Sequence, residues 1–194
     1  MLLPLLKKFK KEFYLVGGTA IAFHIGHRFS IDFDLFKKGV IRHRAIVKKF
    51  EEQKEITTLI YKDENQLHLN CRNVKFTFFN YEFDLPHSVN IDNVITIPSL
   101  LDLSAMKAYA LGRRSKWKDY ADLFFILSNY YKIPEIAERA NEIFGELFSE
   151  KLFRGQLSYF TGINYSEKIE YLPGFETDEQ TIKEFLIETA LTGF

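Results

Sequence analysis

The sequence predicts an α+β fold in two parts, a mixed-sheet lobe over residues 1–93 followed by a helical lobe over residues 94–194. Three observations predict it. Up to Asn93, short apolar or alternating runs bounded by turn residues recur between helical stretches. From Pro98 onward every periodic stretch repeats at helical spacing. Near the start, the pair Gly17-Gly18 closes an apolar run and opens a helix just ahead of the alternating stretch Ile31-Asp32-Phe33-Asp34-Leu35. No internal repeat, low-complexity tract or long linker interrupts the chain.

Taken in order, residues 2–11 place leucines and Phe9 on one helical face and lysines on the other. Residues 13–16 are a continuous apolar run stopped by the glycines, which reads as a buried strand ending in a tight turn. A short helix follows over 19–26, closed by Gly26. Residues 31–35 alternate strictly, so a strand there turns both aspartates to one face. An amphipathic helix over 41–55 carries Ile46, Val47 and Phe50 inward. Strands follow over 56–61, 66–70 and 74–83, separated by Asp63-Glu64-Asn65 and Cys71-Arg72-Asn73. One more short strand is expected over 94–97. Helices over 99–113, 115–131, 134–148, 151–160 and 178–191 complete the chain, the first opened by Pro98 and a Ser99…Asp102 pair resembling a capping box.

With 46% hydrophobic and 16% aromatic residues, the 194-residue chain buries a substantial core, which excludes a disordered protein. The single Cys71 excludes an internal disulfide and fits a reducing, cytoplasmic setting. No apolar run is long enough to span a bilayer, and the leucine-rich N-terminus precedes its lysines, the reverse of a secretory signal. The net charge of zero conceals an asymmetry. Residues 1–132 carry 21 Lys/Arg against 14 Asp/Glu, and residues 133–194 carry 5 against 12. The basic portion suits phosphate-bearing partners, while solvated Glu-rich helices also account for the acidic end.

Phosphoryl and nucleotidyl transfer ask little covalent chemistry of a protein; they need hard oxygen ligands for a divalent cation and backbone donors around phosphates. Asp32 and Asp34, two apart on a strand, can share one cation. Gly17 and Gly18 allow close backbone approach beside a helix N-terminus, and Thr19 adds a hydroxyl. Either piece alone is weak; their order within one β-turn-α-β unit is specific. A second block surrounds Lys107, an isolated charge among Ala105, Met106, Ala108, Tyr109 and Leu111. Such a lysine needs an anion, either a triphosphate or Asp119 or Asp122, which share a face three residues apart. Arg113, Arg114, Lys116 and Lys118 form a basic turn suited to phosphates or to solvent. His24 and His27 lack further ligands at zinc spacing, Cys71 lacks a histidine partner, and the aromatic run from Phe76 to Phe83 is explained by sheet packing.

These blocks together resemble the AbiEii-type toxin family of the nucleotidyltransferase superfamily. The resemblance is carried by Leu15-Val16-Gly17-Gly18-Thr19-Ala20, by the stretch from His27 to Phe36, by Ala105-Met106-Lys107-Ala108 with Arg113, and by Lys118-Asp119-Tyr120-Ala121-Asp122-Leu123. It implies a nucleotidyltransferase lobe followed by a helical lobe that completes the active-site cleft. It also implies Mg²⁺ or Mn²⁺ on Asp32 and Asp34, an NTP substrate held by Gly17, Gly18, Thr19, Lys107 and Arg113, and catalytic roles for Asp32, Asp34, Lys107 and Asp119. The implied activity is nucleotidyl transfer to an acceptor such as tRNA, as the toxin of a toxin–antitoxin or phage-defence pair with a winged-helix antitoxin. One position departs from the superfamily pattern: Thr77 stands where a third acid is expected on the strand at 74–79. Glu82, Asp84, Asp119, Asp34 or a bound water are the alternatives for its role. That departure keeps open a catalytically inert binding module, and transfer to a protein or small-molecule hydroxyl remains a further alternative.

Overall fold

The protein is described here by a computed structural model covering residues 2–111 and 113–192. The chain forms two compact units, one of Met1–Ala20 with Ser30–Ser99 and one of Ile21–Phe29 with Leu100–Phe194.

In the first unit, a turn of helix α1 (Leu3–Leu6) runs into a 3₁₀ turn at Lys7–Phe9, where one longer helix is expected. The tighter winding delivers Phe9 fully into the core. Strand β1 (Tyr14–Val16) leads into helix α2 (Gly17–Ile25), which begins at the glycines and passes from the first unit to the second after Ala20. Then come β2 (Phe33–Lys37), α3 (His43–Glu52), β3 (Thr58–Lys62), β4 (Gln66–Cys71) and β5 (Val74–Asn80). They form one five-stranded sheet in the order β1-β2-β5-β4-β3, parallel between β2 and β5 and antiparallel elsewhere. The crossover from β2 to β5 through α3 and the β3-β4 hairpin makes the sheet mixed.

A two-stranded ribbon, β6 (Val89–Ile91) with β7 (Ile95–Ile97), completes this unit. Only β7 is expected from the sequence. The signal for β6 is the alternating Val89-Asn90-Ile91 followed by Asp92 and Asn93, both at positive φ, the turn chemistry of a tight hairpin. Because this ribbon stays with the sheet, the division falls after Ser99, six residues later than the boundary expected after residue 93.

Alternation along the strands fixes the two faces of the sheet. Leu35, Phe76, Phe78, Leu67 and Leu69 are buried on one face, where α3 adds Ile46 and Phe50. Phe78 is the centre, with ring centroids of Phe9 at 4.8 Å, Phe13 at 5.3 Å and Phe50 at 6.2 Å. The opposite face carries Asp34, Thr77, His68 and Gln66.

The second unit is helical. It contains α4 (Leu100–Leu111), α5 (Trp117–Asn129), α6 (Ile133–Phe144), α7 (Glu150–Leu157) and α8 (Glu179–Leu191), with a 3₁₀ turn at Gly145–Leu147. The helix expected over 99–113 is observed over Leu100–Leu111, with Arg113 already in a turn; Gly112 between them lies outside the described residues. Starts are chemically specified: the Asp178 side chain accepts the Thr181 N–H, and Glu135 accepts the Lys132 N–H at 2.8 Å. Tyr109 of α4 stacks on Phe144 of α6 with centroids 4.0 Å apart, and Asp102 of α4 accepts from Arg139 of α6 at 2.6 Å.

Phe78→Ala removes a ring that is fully enclosed by other rings. We expect it to lower the unfolding free energy by about 3–5 kcal/mol, measured by urea denaturation, because such a site collapses poorly.

Candidate active site

The end of β1 brings Val16 opposite Asp34 on β2, so the next residue, Gly17, lies against that aspartate. Gly17 adopts φ +72, and a Cβ there would collide with Asp34 Oδ2 and lie 3.3 Å from its Cγ. Only glycine satisfies both the left-handed backbone and the carboxylate's close approach. The Asp34 carboxylate has no hydrogen bond or ion pair among the described residues, and the residue is half-buried beside the first turn of α2.

Asp32 is placed differently from expectation. The ladder of β2 runs from Phe33 to Lys37, paired with Phe76 to Asn80, so Asp32 precedes the strand. Its Oδ1 accepts the Lys75 N–H at 3.0 Å at the mouth of the β2-β5 pair, which anchors the carboxylate without strand pairing. Thr19 Oγ1 donates to the Asp32 carbonyl, and its proton being spent there, the 2.9 Å contact with Ser30 has Ser30 as donor. Thr19, expected to hold phosphate, therefore ties the α2 turn to the backbone carrying Asp32. Gly17, Gly18, Thr19, Asp32 and Asp34 are brought together in the first unit; Ser30 joins them through a bond the sequence does not announce.

No cluster of three His, Cys, Asp or Glu suited to a metal exists among the described residues. Two carboxylates match the donor set by which Mg²⁺ is ordinarily held when substrate phosphates and water supply its other ligands. Thr77 lies directly opposite Asp34 on β5, 8% exposed, with its hydroxyl buried and unpartnered. The later acids Glu82 and Asp84 lie beyond the end of β5 at Asn80.

The second unit holds the other block of expected residues. Lys107 is 5% exposed and ion-paired to both Asp119 and, at 2.8 Å, Asp122. Of the anions open to it from sequence, the structure supplies the two aspartates. Asp122 is fully buried and also accepts from His27 Nε2 at 2.8 Å and from Arg28 Nε and a terminal guanidinium nitrogen at 2.7 and 3.0 Å. Burial pushes this carboxyl up, but Lys107, Arg28 and His27 together hold it well below the usual range. Asp119 likewise resists its burial, held low by Lys107 and Arg114. With both oxygens engaged, it is poorly placed to take a proton.

Arg28 has no part in the chemistry read from the sequence. Its neighbours Gly26, His27 and Ser30 give no local signal of the buried anion that it meets far along the chain. His27, set aside as a zinc ligand, is the imidazole partner of Asp122. Arg113 is exposed, stacked 3.6 Å from the Tyr109 ring and donating to the Tyr109 and Leu147 carbonyls at 2.8 and 3.1 Å. It lines a cleft of about 330 Å³ with Tyr109, Phe148, Ser149 and Gln156. Lys116 and Lys118 of the basic turn pair with Glu167.

The family model "Nucleotidyl transferase AbiEii toxin, Type IV TA system" covers the glycine pair, both aspartates and the whole sheet. Residues 5–92 match the AbiEii family. An uncharacterized protein of Aquifex aeolicus is 33% identical over 123 residues, which are 61% of this chain and 59% of that relative's length. This chain thus spans about three fifths of that relative. Among solved structures, MenT4, a nucleotidyltransferase toxin from Mycobacterium tuberculosis H37Rv, superposes with a TM-score of 0.60 at 13% identity. That likeness covers 98% of this chain and 79% of MenT4. JHP933 from Helicobacter pylori gives 0.56 at 16% identity, over 96% and 85% of the two chains. At such identities these structures establish a shared fold. The AbiEii match ends at residue 92, so the Lys107–Asp119–Asp122 cluster lies beyond it.

For this cluster outside the AbiEii match, Asp122→Ala strands Arg28 in the interior and leaves Lys107 with Asp119 alone. We expect a loss of about 3–5 kcal/mol in unfolding free energy. The pH dependence has a fixed sign. The depressed Asp122 carboxyl binds its proton more weakly folded than unfolded. Its contribution is therefore present above the unfolded value, about pH 4, and is lost as pH falls below it. Denaturant midpoints measured between about pH 2 and 7 should show this acid limb in the wild type and a shallower one in Asp122→Asn.

Proposed function

We propose that this chain is a nucleotidyltransferase toxin that moves a nucleotidyl group from an NTP to an acceptor hydroxyl, RNA being the favoured acceptor. The observation that carries the reading is the junction at Gly17. A glycine at positive φ presses on a carboxylate that has no partner of its own, at the start of a helix. A strand-to-helix turn with no ligand to serve has no need to pack a free carboxylate there, since it removes solvent from one side of a charge.

In this reading the first turn of α2 offers N–H groups to phosphate oxygens, and Gly17 and Gly18 let the phosphates approach the backbone. Asp32 and Asp34 hold a divalent cation, which when bound neutralises charge on the phosphate oxygens. Lys75 donates its backbone N–H to Asp32 and so fixes that carboxylate's orientation; Thr19 and Ser30 hold the preceding chain. The acceptor assignment draws support from the basic excess of residues 1–132. The toxin assignment draws support from the AbiEii match, which also makes a partner antitoxin part of the proposal. Among the described residues no helix is long and apolar enough to cross a membrane.

Purified protein is incubated with Mg²⁺, each α-³²P-labelled NTP and total bacterial RNA. We expect label in RNA with at least one NTP, reduced at least about a hundredfold by Asp32→Ala or Asp34→Ala. Gly17→Ala should lower transfer similarly and, being strained at that φ and crowded against Asp34, should also lower the thermal transition. Label on protein instead of RNA would reassign the acceptor, and absence of label with every NTP would sink the reading.

A further inference from the structure

The attacking hydroxyl must lose a proton, and the residue facing Asp34 across the β2-β5 pair, Thr77, has no carboxylate to receive it. The sheet register shows what comes next. Thr77 on β5 is opposite His68 on β4, so Asp34, Thr77 and His68 form one transverse row on the same face. With neighbouring strands about 4.8 Å apart, His68 stands about 10 Å from Asp34 along the backbone, with the threonine between them. An acceptor seated over Thr77 lies between the carboxylate side and the imidazole.

Hydrogen bonding decides which ring nitrogen is available. Asp63 accepts from Asn65 and Gln66 N–H groups and from the Tyr61 hydroxyl at 2.8 Å, and the Gln66 side-chain amide nitrogen donates to it at 3.0 Å. A carboxylate only accepts, so Gln66 must point its nitrogen at Asp63 and its Oε1 at the histidine. Gln66 Oε1 lies 2.9 Å from His68 Nε2, which therefore carries the hydrogen. Nδ1 is left with its lone pair. Thr77 meanwhile holds a buried hydroxyl with no partner among the described residues.

We propose that His68 Nδ1 is the proton acceptor for the attacking hydroxyl and that Thr77 Oγ1 seats this hydroxyl beside it, an assignment that rests on the nucleotidyl-transfer reading above. In the step, the acceptor O–H bond breaks and its proton passes to Nδ1, giving imidazolium. The acceptor oxygen forms a bond to the α-phosphorus as the bond from that phosphorus to the pyrophosphate oxygen breaks, and pyrophosphate leaves with the electron pair. The imidazolium then releases its proton to solvent.

The groups facing the ring suit this role. Burial and Lys75 on β5 push the imidazole's pKa below 6.5, opposed by Asp34 on β2 and by Asp63. Tyr61 on β3 meets the ring edge-on at 5.6 Å between centroids. The ring is therefore neutral at pH 7 and half-buried, able to accept a proton and open to a substrate.

The test compares transfer rates against pH for wild type, His68→Gln, His68→Asn, Thr77→Val and the double variant His68→Gln/Thr77→Asp. It also records ¹⁵N spectra of imidazole-labelled, nucleotide-free protein. We expect the wild-type kcat to rise through one ionisation below pH 6.5. His68→Gln and His68→Asn should lower kcat about a hundredfold and abolish that limb, with KM for NTP within about twofold. Thr77→Val should raise KM for the acceptor. Thr77→Asp should restore at least about tenfold to His68→Gln by supplying a carboxylate at the vacant place. The spectra should show a bare Nδ1 at pH 7. A histidine variant that keeps the pH limb and about wild-type kcat, or an Nδ1 that carries the proton, would overturn the assignment while leaving nucleotidyl transfer standing. Wild type that transfers nothing from any NTP would overturn both.

Discussion

The second unit is organised around one carboxylate, that of Asp122. A buried carboxylate alone is strongly unfavourable, and so are a buried lysine and a buried arginine. Here each needs the others. Asp122 on α5 receives Lys107 from α4 and His27 and Arg28 from the segment after α2, so three separate stretches of chain meet on two oxygen atoms. The adjoining backbone is stitched in the same place: the Phe29 N–H donates to the Glu170 carbonyl at 2.8 Å and the Leu172 N–H to the His27 carbonyl at 3.0 Å. Removing any one partner would leave the others as uncompensated buried charges, which constrains how these stretches can pack. That is why Lys107 can sit in a helix whose other neighbours are apolar.

In the first unit the corresponding constraint is steric. The sheet presents one apolar face to the rings around Phe78 and one polar face with Asp34, Thr77 and His68 in a row. The short β1 strand aims the chain at that polar face, and the turn at Gly17 leaves no room for any side chain between backbone and carboxylate. The packed apolar side fixes the strands that carry the polar row. In the proposed reading, a site for phosphates and a divalent cation depends on such positioning.

Much of the fold was legible because periodicity reports local structure. The helices of the second unit and strands β1, β4 and β5 lie within a few residues of their expected spans. The misplacements have tertiary causes. Strand β2 starts two residues late because its pairing with β5 begins at Phe33 and its pairing with β1 only at Asp34, which leaves Asp32 to bond Lys75 instead. Strand β6 escaped notice because three residues carry little pattern, though its turn residues at positive φ marked it. Of the candidate site, the proximity of the glycine pair and the two aspartates was legible, as all of them fall within 18 consecutive residues. His68 was not, because nothing local ties residue 68 to residue 34.

The sequence by itself determined most strands and helices to within a few residues, which face of each is apolar, and that the Gly17 turn and the aspartate pair lie close together along the chain. All of these depend on spacing along a covalent chain. Only the tertiary structure decided that Lys107 is neutralised by Asp119 and Asp122, that His27 and Arg28 complete that cluster, and that Thr77 lies between Asp34 and His68. Those facts depend on strand order and on which helix meets which. A pattern of periods shows a residue's face, and the neighbour on that face is chosen by the burial and charge pairing of the folded chain as a whole.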